Sequence, residues 1–447
     1  MKILLVNKFL HPNGGSETYI FGLGKALQAM GHEVQYFGME HKGRAVGNRV
    51  ESYTSDMDFH AGGLSKLLYP FKIIYSLEAR KKIRKVLQDF EPDVVHLNNI
   101  NFQITPSVID EARAFEKKRG KPVRIVFTAH DYQWVCPNHM MMIPSTGALC
   151  FACRGGRFGN CAKNRCIHDS RVRSLLGTLE ADFYRWRRTY AKVDAIICPS
   201  RFMKEQLDTN PLFADKTLVL HNFIPEAAEN RRCDTGEAAE SVRRGAEMAD
   251  CTEAGAWRGI QKQLPERYVL YFGRFSEEKG VKTLLKVCEE LTDVSFVFAG
   301  TGPLQENVTQ TENIRNIGFV TGEALRNLIA GAAFSLYPSE WYENCPFSVM
   351  ESQAYGTPMI ASDLGGIPEL LQNDVTGELF PAGDAKALRE KIEKLWERPE
   401  LCEVYRKNCK RIKFDTSEEY CGKMIEQAYK VNGGDIWREE PYTARSS

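Results

Sequence analysis

Two carboxylates eight residues apart, Glu343 and Glu351, stand in the stretch Tyr337-Pro-Ser-Glu-Trp-Tyr-Glu-Asn-Cys-Pro-Phe-Ser-Val-Met-Glu-Ser-Gln-Ala-Tyr-Gly-Thr-Pro358. Such a pair can supply the acid and the nucleophile of a sugar hydrolase, or can accept hydrogen bonds from the hydroxyls of a polar ligand. The apolar run from Ala333 to Tyr337 reads as a buried strand leading into them. A short helix is expected from Pro346 to Tyr355, because proline is favoured in a first turn where its missing N–H has no intrahelical partner. Glu343 then lies in the loop at the helix N-terminus and Glu351 more than a turn inside. Acids at the C-terminal edge of a parallel strand are well placed for a ligand of an open α/β sheet.

Cations of matching use occur upstream. A strand from Tyr268 to Gly273 is followed by Arg274, then Lys279-Gly280 at the start of a helix running to Leu291. A glycine, an arginine and a lysine at a helix N-terminus suit a pyrophosphate. The strand Ser295–Ala299 with Gly300-Thr-Gly302-Pro303 repeats the theme. Near the start, Gly14-Gly15 separates the strand Lys2–Val6 from a helix opening at Ser16. Glycines there let backbone approach an anion, or simply make a turn. His130-Asp131 ends the strand Val123–Ala129 and is read as functional, whereas His96 is open between a structural and a functional role. Asp56-Met-Asp58 resembles a metal–nucleotide pair only superficially. No apolar strand leads into it, and it reads as exposed loop.

Five of the 13 cysteines fall within 136–168: Cys136, Cys150, Cys153, Cys161 and Cys166. Cys150-x2-Cys153 with Cys161-x4-Cys166 resembles structural zinc spacing, with Cys136, His139 and His168 as possible substitutes. A disulfide or free-thiol loop is the competing reading.

These residues need a scaffold of alternating buried strands and helices, and 447 residues exceed one core. We expect an α/β protein of two doubly wound domains: 1–222, carrying the cysteine-rich insertion, and 267–431. Between them 223–266, rich in alanine and charge from Glu226 to Gln263, reads as a partly disordered insertion, and 432–447 as a tail. Net charge is +1, yet residues 1–200 hold 29 Lys and Arg against 18 Asp and Glu, while 201–447 hold 30 against 40. A basic first half suggests an anionic membrane surface or phosphorylated substrate, or merely solvated faces. The segment Leu64 to Leu87 has helical apolar spacing with a basic end, suiting an interfacial helix or an ordinary domain helix. No run is long enough to cross a bilayer or to serve as a signal peptide, so a cytoplasmic protein is expected, peripheral on the inner face of the plasma membrane.

The order of these motifs resembles the family 4 glycosyltransferases, retaining nucleotide-sugar enzymes with a GT-B fold of two Rossmann-like domains. The resemblance rests on Gly14-Gly15, His130-Asp131, Gly273-Arg274 with Lys279-Gly280, Gly300-x-Gly302, and Glu343-x7-Glu351 followed by Gly356-x-Pro358 and Gly365-Gly-Ile-Pro-Glu369. It covers nearly the whole chain apart from 226–263 and the tail. It implies that Arg274 and Lys279 neutralise a diphosphate, Glu351 holds ribose hydroxyls, and Glu343 faces the donor sugar. His130 would reach the transferred sugar from the other domain, and Gly14-Gly15 would close over phosphate and acceptor. Gly302 and the stretch Asn344 to Phe347 would bring backbone near the donor, although Pro346 offers no N–H.

The resemblance further implies a UDP- or GDP-sugar as substrate, transfer of a hexose-type sugar with retention, and no catalytic metal. The expected acceptor is a lipid-linked oligosaccharide or polysaccharide of cell-surface polysaccharide biosynthesis, with no nucleic-acid partner. A GT-B phosphorylase, a sugar-nucleotide epimerase and an idle GT-B-like scaffold are the rivals. The cysteine-rich insertion departs from simpler members and looks like a subset involved in bacterial surface polysaccharides.

Overall fold

The computed structural model describes residues 1–55, 74–101, 103–224 and 257–430. The Asp56–Asp58 loop, the start of the Leu64–Leu87 segment, most of 226–263 and the tail lie outside the described residues. The first sheet comprises β1 (Lys2–Val6), β2 (Glu33–Phe37), β3 (Val94–Leu97), β4 (Arg124–Thr128), β7 (Ala195–Cys198) and β8 (Thr217–Val219). Its order is β2-β1-β3-β4-β7-β8, with every pairing parallel. A two-stranded hairpin, β5 (Met142–Ile143) and β6 (Ala148–Leu149), stands apart in the cysteine-rich loop. The second sheet comprises β9 (Val269–Phe272), β10 (Phe296–Ala299), β11 (Ile314–Asn316), β12 (Phe334–Tyr337), β13 (Met359–Ser362) and β14 (Gly377–Phe380). It runs β11-β10-β9-β12-β13-β14, again parallel throughout.

Strands covered by helices on both faces need apolar residues at successive positions, and the central strands have them. All four residues of β3 and of β9 are buried. His96 is the polar member of β3. Its imidazole sits between the Tyr429 hydroxyl (2.8 Å) and Thr128 Oγ1 (2.7 Å), and burial pushes it down to about 3. A neutral imidazole satisfied on both nitrogens is a core residue, which decides its role.

Two segments pack where composition does not place them. Trp257, Ile260 and Leu264, at the end of the alanine-rich segment, lie against the second domain's core. The helix Ser417–Met424 and the turn Ile425–Tyr429 cross back to the first domain. There Tyr420, Met424 and Tyr429 join Tyr19, Ile20 and Leu23 in one cluster, and the Tyr420 hydroxyl meets that of Tyr19 at 2.8 Å. The last helix among the described residues therefore fastens the two domains together.

The helix Leu77–Phe90 buries Ala79, Ile83, Val86, Leu87 and Phe90. This part of the basic segment turns its apolar face to the core, not to a membrane. Among the described residues no helix is long and apolar enough to cross a membrane.

Candidate functional site

The second sheet changes winding direction between β9 and β12, the position where open α/β sheets collect ligands beyond their strand ends. The loop after β9 carries Arg274 and Lys279; the loop after β12 carries Glu343. What lets the loops meet is Gly280, at φ +70, where a Cβ would stand 1.8 Å from the Pro338 carbonyl oxygen. Lys279 Nζ then reaches Glu343 Oε1 at 2.5 Å. The same oxygen accepts from Ser339 Oγ (2.7 Å) and Trp341 Nε1 (2.6 Å). Glu343 is only 6% exposed, so these donors replace the water its charge has lost. From the other side, the Gly366 amide donates to the Glu343 carbonyl at 2.7 Å. A Cβ on Gly366 would lie 1.8 Å from the Asn344 carbonyl. The double glycine thus allows a backbone approach that fixes the acid's height in the cleft.

Other groups on this face are less committed. Arg274 is exposed and its guanidinium has no hydrogen-bond or ion-pair partner among the described residues. Gly302 lies against the backbone of Phe275, holding the β10 loop onto the Arg274 loop. Glu351 sits in the helix Phe347–Ala354, which Pro346 precedes as its cap residue. Its half-buried carboxylate has no ion-pair partner among the described residues, and burial pushes it up to about 7. Asn344 donates from Nδ2 to the His130 carbonyl at 2.8 Å, while its buried Oδ1 has no partner among the described residues.

The first domain supplies the opposite face. His130 Nε2 lies 2.9 Å from Asn98 Oδ1. Asn98 directs its Nδ2 at the Val6 and His96 carbonyls, so Oδ1 must accept and Nε2 must carry the proton. His130 is thereby held with Nδ1 as its acceptor, and burial pushes its pKa down to about 4. Asp131 turns away to His139 Nδ1 (3.2 Å) and the Gln133 amide. Gly15 opens the helix Gly15–Ala29, which has no side-chain cap at Gly14. A Cβ on Gly15 would lie 3.7 Å from Phe347, so this turn touches the second domain.

A model of "Glycosyl transferases group 1" matches residues 257–412, and one of "Glycosyltransferase Family 4" matches 13–227. The chain is a family 4 glycosyltransferase of the GT-B fold. Similar proteins include an alpha-D-kanosaminyltransferase of Streptomyces kanamyceticus, 29% identical over 38% of this chain and 49% of that one. Another is a phosphatidyl-myo-inositol mannosyltransferase of Mycobacterium leprae, 32% identical over 31% of this chain and 39% of that one. The chain thus spans half or less of the length of these relatives. Among solved structures, Anabaena HepE in complex with UDP superposes with a TM-score of 0.59 at 14% identity, covering 95% and 99% of the two chains. That likeness shows the fold alone.

Within this GT-B chain the expected residues do not all converge. Lys279, Glu343, Asn344 and His130 are joined by direct or backbone contacts, as are Gly15 and Phe347. Arg274 and Glu351 stand uncommitted, and Gly302 acts through the loop it holds. Cys136, Cys150, Cys153 and Cys166 line one small cavity, with Cys161 buried next to Cys166. Among the described residues, however, no three His, Cys, Asp or Glu side chains are already arranged to hold a metal ion.

Sequence reading missed Ser339 and Trp341, the neutral donors on Glu343. It named Glu369 only as part of a motif. That carboxylate bridges the domains, accepting from the Arg201 and Phe202 amides (both 2.8 Å) in the first turn of a helix that Ser200 caps, and pairing with His221 at 3.0 Å. The hydrogen bond from His221 and those from the two amides outweigh burial and draw its pKa down.

Proposed function

We propose that the protein transfers a hexose-type sugar, with retention of anomeric configuration, from a UDP- or GDP-sugar to a lipid-linked or polysaccharide acceptor of cell-surface polysaccharide biosynthesis. The observation that carries this reading is the pairing at the winding switch: Lys279 clamped onto Glu343, with an unpartnered Arg274 on the same loop. Two cations at that edge suit the diphosphate of a leaving nucleotide, whose developing charge they stabilise. Glu343 Oε1 already accepts three hydrogen bonds, which makes it a poor nucleophile and a good fixed acceptor for donor-sugar hydroxyls. Glu351, lacking a partner for its carboxylate among the described residues, suits the ribose hydroxyls. His130 Nδ1 can accept from the transferred sugar.

The favoured chemistry is front-face displacement. The acceptor oxygen bonds to the anomeric carbon as the bond to the diphosphate oxygen breaks, and the acceptor proton passes to the leaving phosphate. No glycosyl-enzyme forms. A screen of UDP-, GDP- and ADP-sugars by hydrolysis and thermal shift tests the reading. Transfer that Arg274→Ala and Glu351→Ala leave intact with every accepted donor would refute the site. Product formation with inorganic phosphate replacing the acceptor would instead indicate a phosphorylase.

A peripheral membrane position is supported by a feature outside the predicted basic segment. On the helix Arg171–Trp186, Val172, Leu175, Leu179 and Trp186 are exposed along one stripe that Asp182 interrupts, with Arg171, Arg173 and Arg185 beside it. Apolar groups between arginines suit an anionic lipid surface, where a lipid-linked acceptor would be presented.

A further inference from the structure

We propose that Cys136, Cys150, Cys153 and Cys166 form a tetrathiolate site for one structural zinc ion, with Cys161 as a supporting thiol outside the ligand set. The four residues line one small cavity beneath the β5–β6 hairpin, together with Val135, Met141 and Arg154. Their spacing, x13 then x2 then x12, places a Cys-x2-Cys pair between two outer ligands, a pattern that closes a tetrahedral shell.

One backbone amide aims at a sulfur of the set: that of Ala152 donates to Cys150 Sγ at 3.4 Å, the kind of supporting donor that a metal-bound sulfur accepts from. All five cysteines here are unbridged. Cys161 is buried with Cys166 in the apolar cluster of Phe158 and does not line the cavity, which sets it outside the ligand set.

The side chains are not yet arranged as a metal shell. Ligation has to draw four cavity-lining residues onto one centre and to replace the contact that Cys136 Sγ makes as a donor to Asn138 Oδ1 (2.7 Å). Four S–H bonds break, four zinc–sulfur bonds form and four protons pass to solvent, with no electron transferred. The loop has only a small apolar cluster of its own, and a metal would supply what the core lacks. It also reaches the catalytic cleft. Phe151, stacked under Arg154, meets the Tyr342 ring at 5.1 Å, and Tyr342 adjoins Glu343. The zinc would thereby hold the wall against which the Glu343 loop rests.

The test uses the full-length chain purified under reducing conditions. Elemental analysis should find about one zinc per chain, and exchange for Co2+ should give the thiolate charge-transfer and d–d absorption of a tetrahedral S4 site. Cys136→Ser and Cys150→Ser should lose both signals; Cys161→Ser should keep them. Titrating the wild-type chain with a mercurial should release the zinc as thiols are capped, a readout independent of how the variants fold. A chain with no zinc and no Co2+ spectrum would overturn the proposal. So would retention in Cys136→Ser with loss in Cys161→Ser, or a disulfide among these cysteines in the purified protein.

Discussion

The two faces of the cleft are built on the same kind of sheet edge but with opposite electrostatics. On the second domain, loops at the winding switch carry Arg274, Lys279, Glu343 and Glu351, with Lys279 and Glu343 already locked together at 2.5 Å. On the first domain, the corresponding edge offers a neutral imidazole, an asparagine and a carbonyl, and two of its acids are engaged locally, Asp131 with His139 and Glu17 with Asn7 and Ser16. A charged face can hold an anionic leaving group without reorganisation, whereas a neutral one can sort hydroxyls of a sugar. In the proposed function, the diphosphate therefore belongs to the second domain and the sugar-facing contacts of His130 to the first.

The strongest way to break this contrast is to remove its cations. Arg274→Ala should lower kcat/KM by about 10²–10³-fold, the usual loss for one preorganised charge-stabilising group, while leaving thermal stability unchanged because Arg274 has no partner to abandon. Lys279→Ala should lose at least as much activity and also stability, about 3 kcal/mol by denaturant melts, because Glu343 would remain buried with neutral donors alone.

Glu351 sharpens the contrast through pH. Its folded-state carboxyl lies near 7, above the ordinary glutamate value, so in the ligand-free protein it is protonated below that point. If ribose hydroxyls require the ionised form, nucleotide affinity measured by calorimetry should fall as pH drops through about 7, and Glu351→Gln should bind more weakly at pH 8 and lose that step. Stability moves in the other direction. A raised folded pKa contributes stability fully present below the unfolded value and lost as pH rises through 7. Glu351→Gln should therefore be more stable than the wild type at pH 8, by about 1–2 kcal/mol after allowance for partial exposure.

On the neutral face, His130→Phe should cost about tenfold in kcat, the removal of one neutral hydrogen bond, with nucleotide affinity unchanged. The smallest effect concerns the surface. Replacing Leu175 and Leu179 by serine should weaken sedimentation with anionic vesicles several-fold and leave transfer to a soluble acceptor intact.

Much of this was legible beforehand because parallel strands buried on both faces read as apolar runs, and their ends carry the polar residues. His130 follows such a run closely, and Glu343 and Lys279 lie in the loops that leave one. What stayed hidden came from contacts between distant loops. Nothing local says that Ser339 and Trp341 would both turn onto Glu343, or that Gly280 serves to let one loop lie on another. His96 interrupts an apolar strand and could have been a ligand; only the return of the C-terminal helix, bringing Tyr429 to its ring, shows why it is structural. The basic segment left two readings open for a related reason. Its helix Leu77–Phe90 spends its apolar residues on the core, as a domain helix does, while an exposed stripe sits on Arg171–Trp186.

The central claim, that the charged face takes a nucleoside diphosphate, is tested most directly by calorimetric titration of the wild type and of Arg274→Ala with UDP, GDP and the corresponding free nucleosides. Saturable binding of one diphosphate, absent for its nucleoside and weakened at least tenfold by Arg274→Ala, is the result predicted here. Equal binding of nucleoside and diphosphate, or a diphosphate affinity that Arg274→Ala leaves untouched, would contradict it.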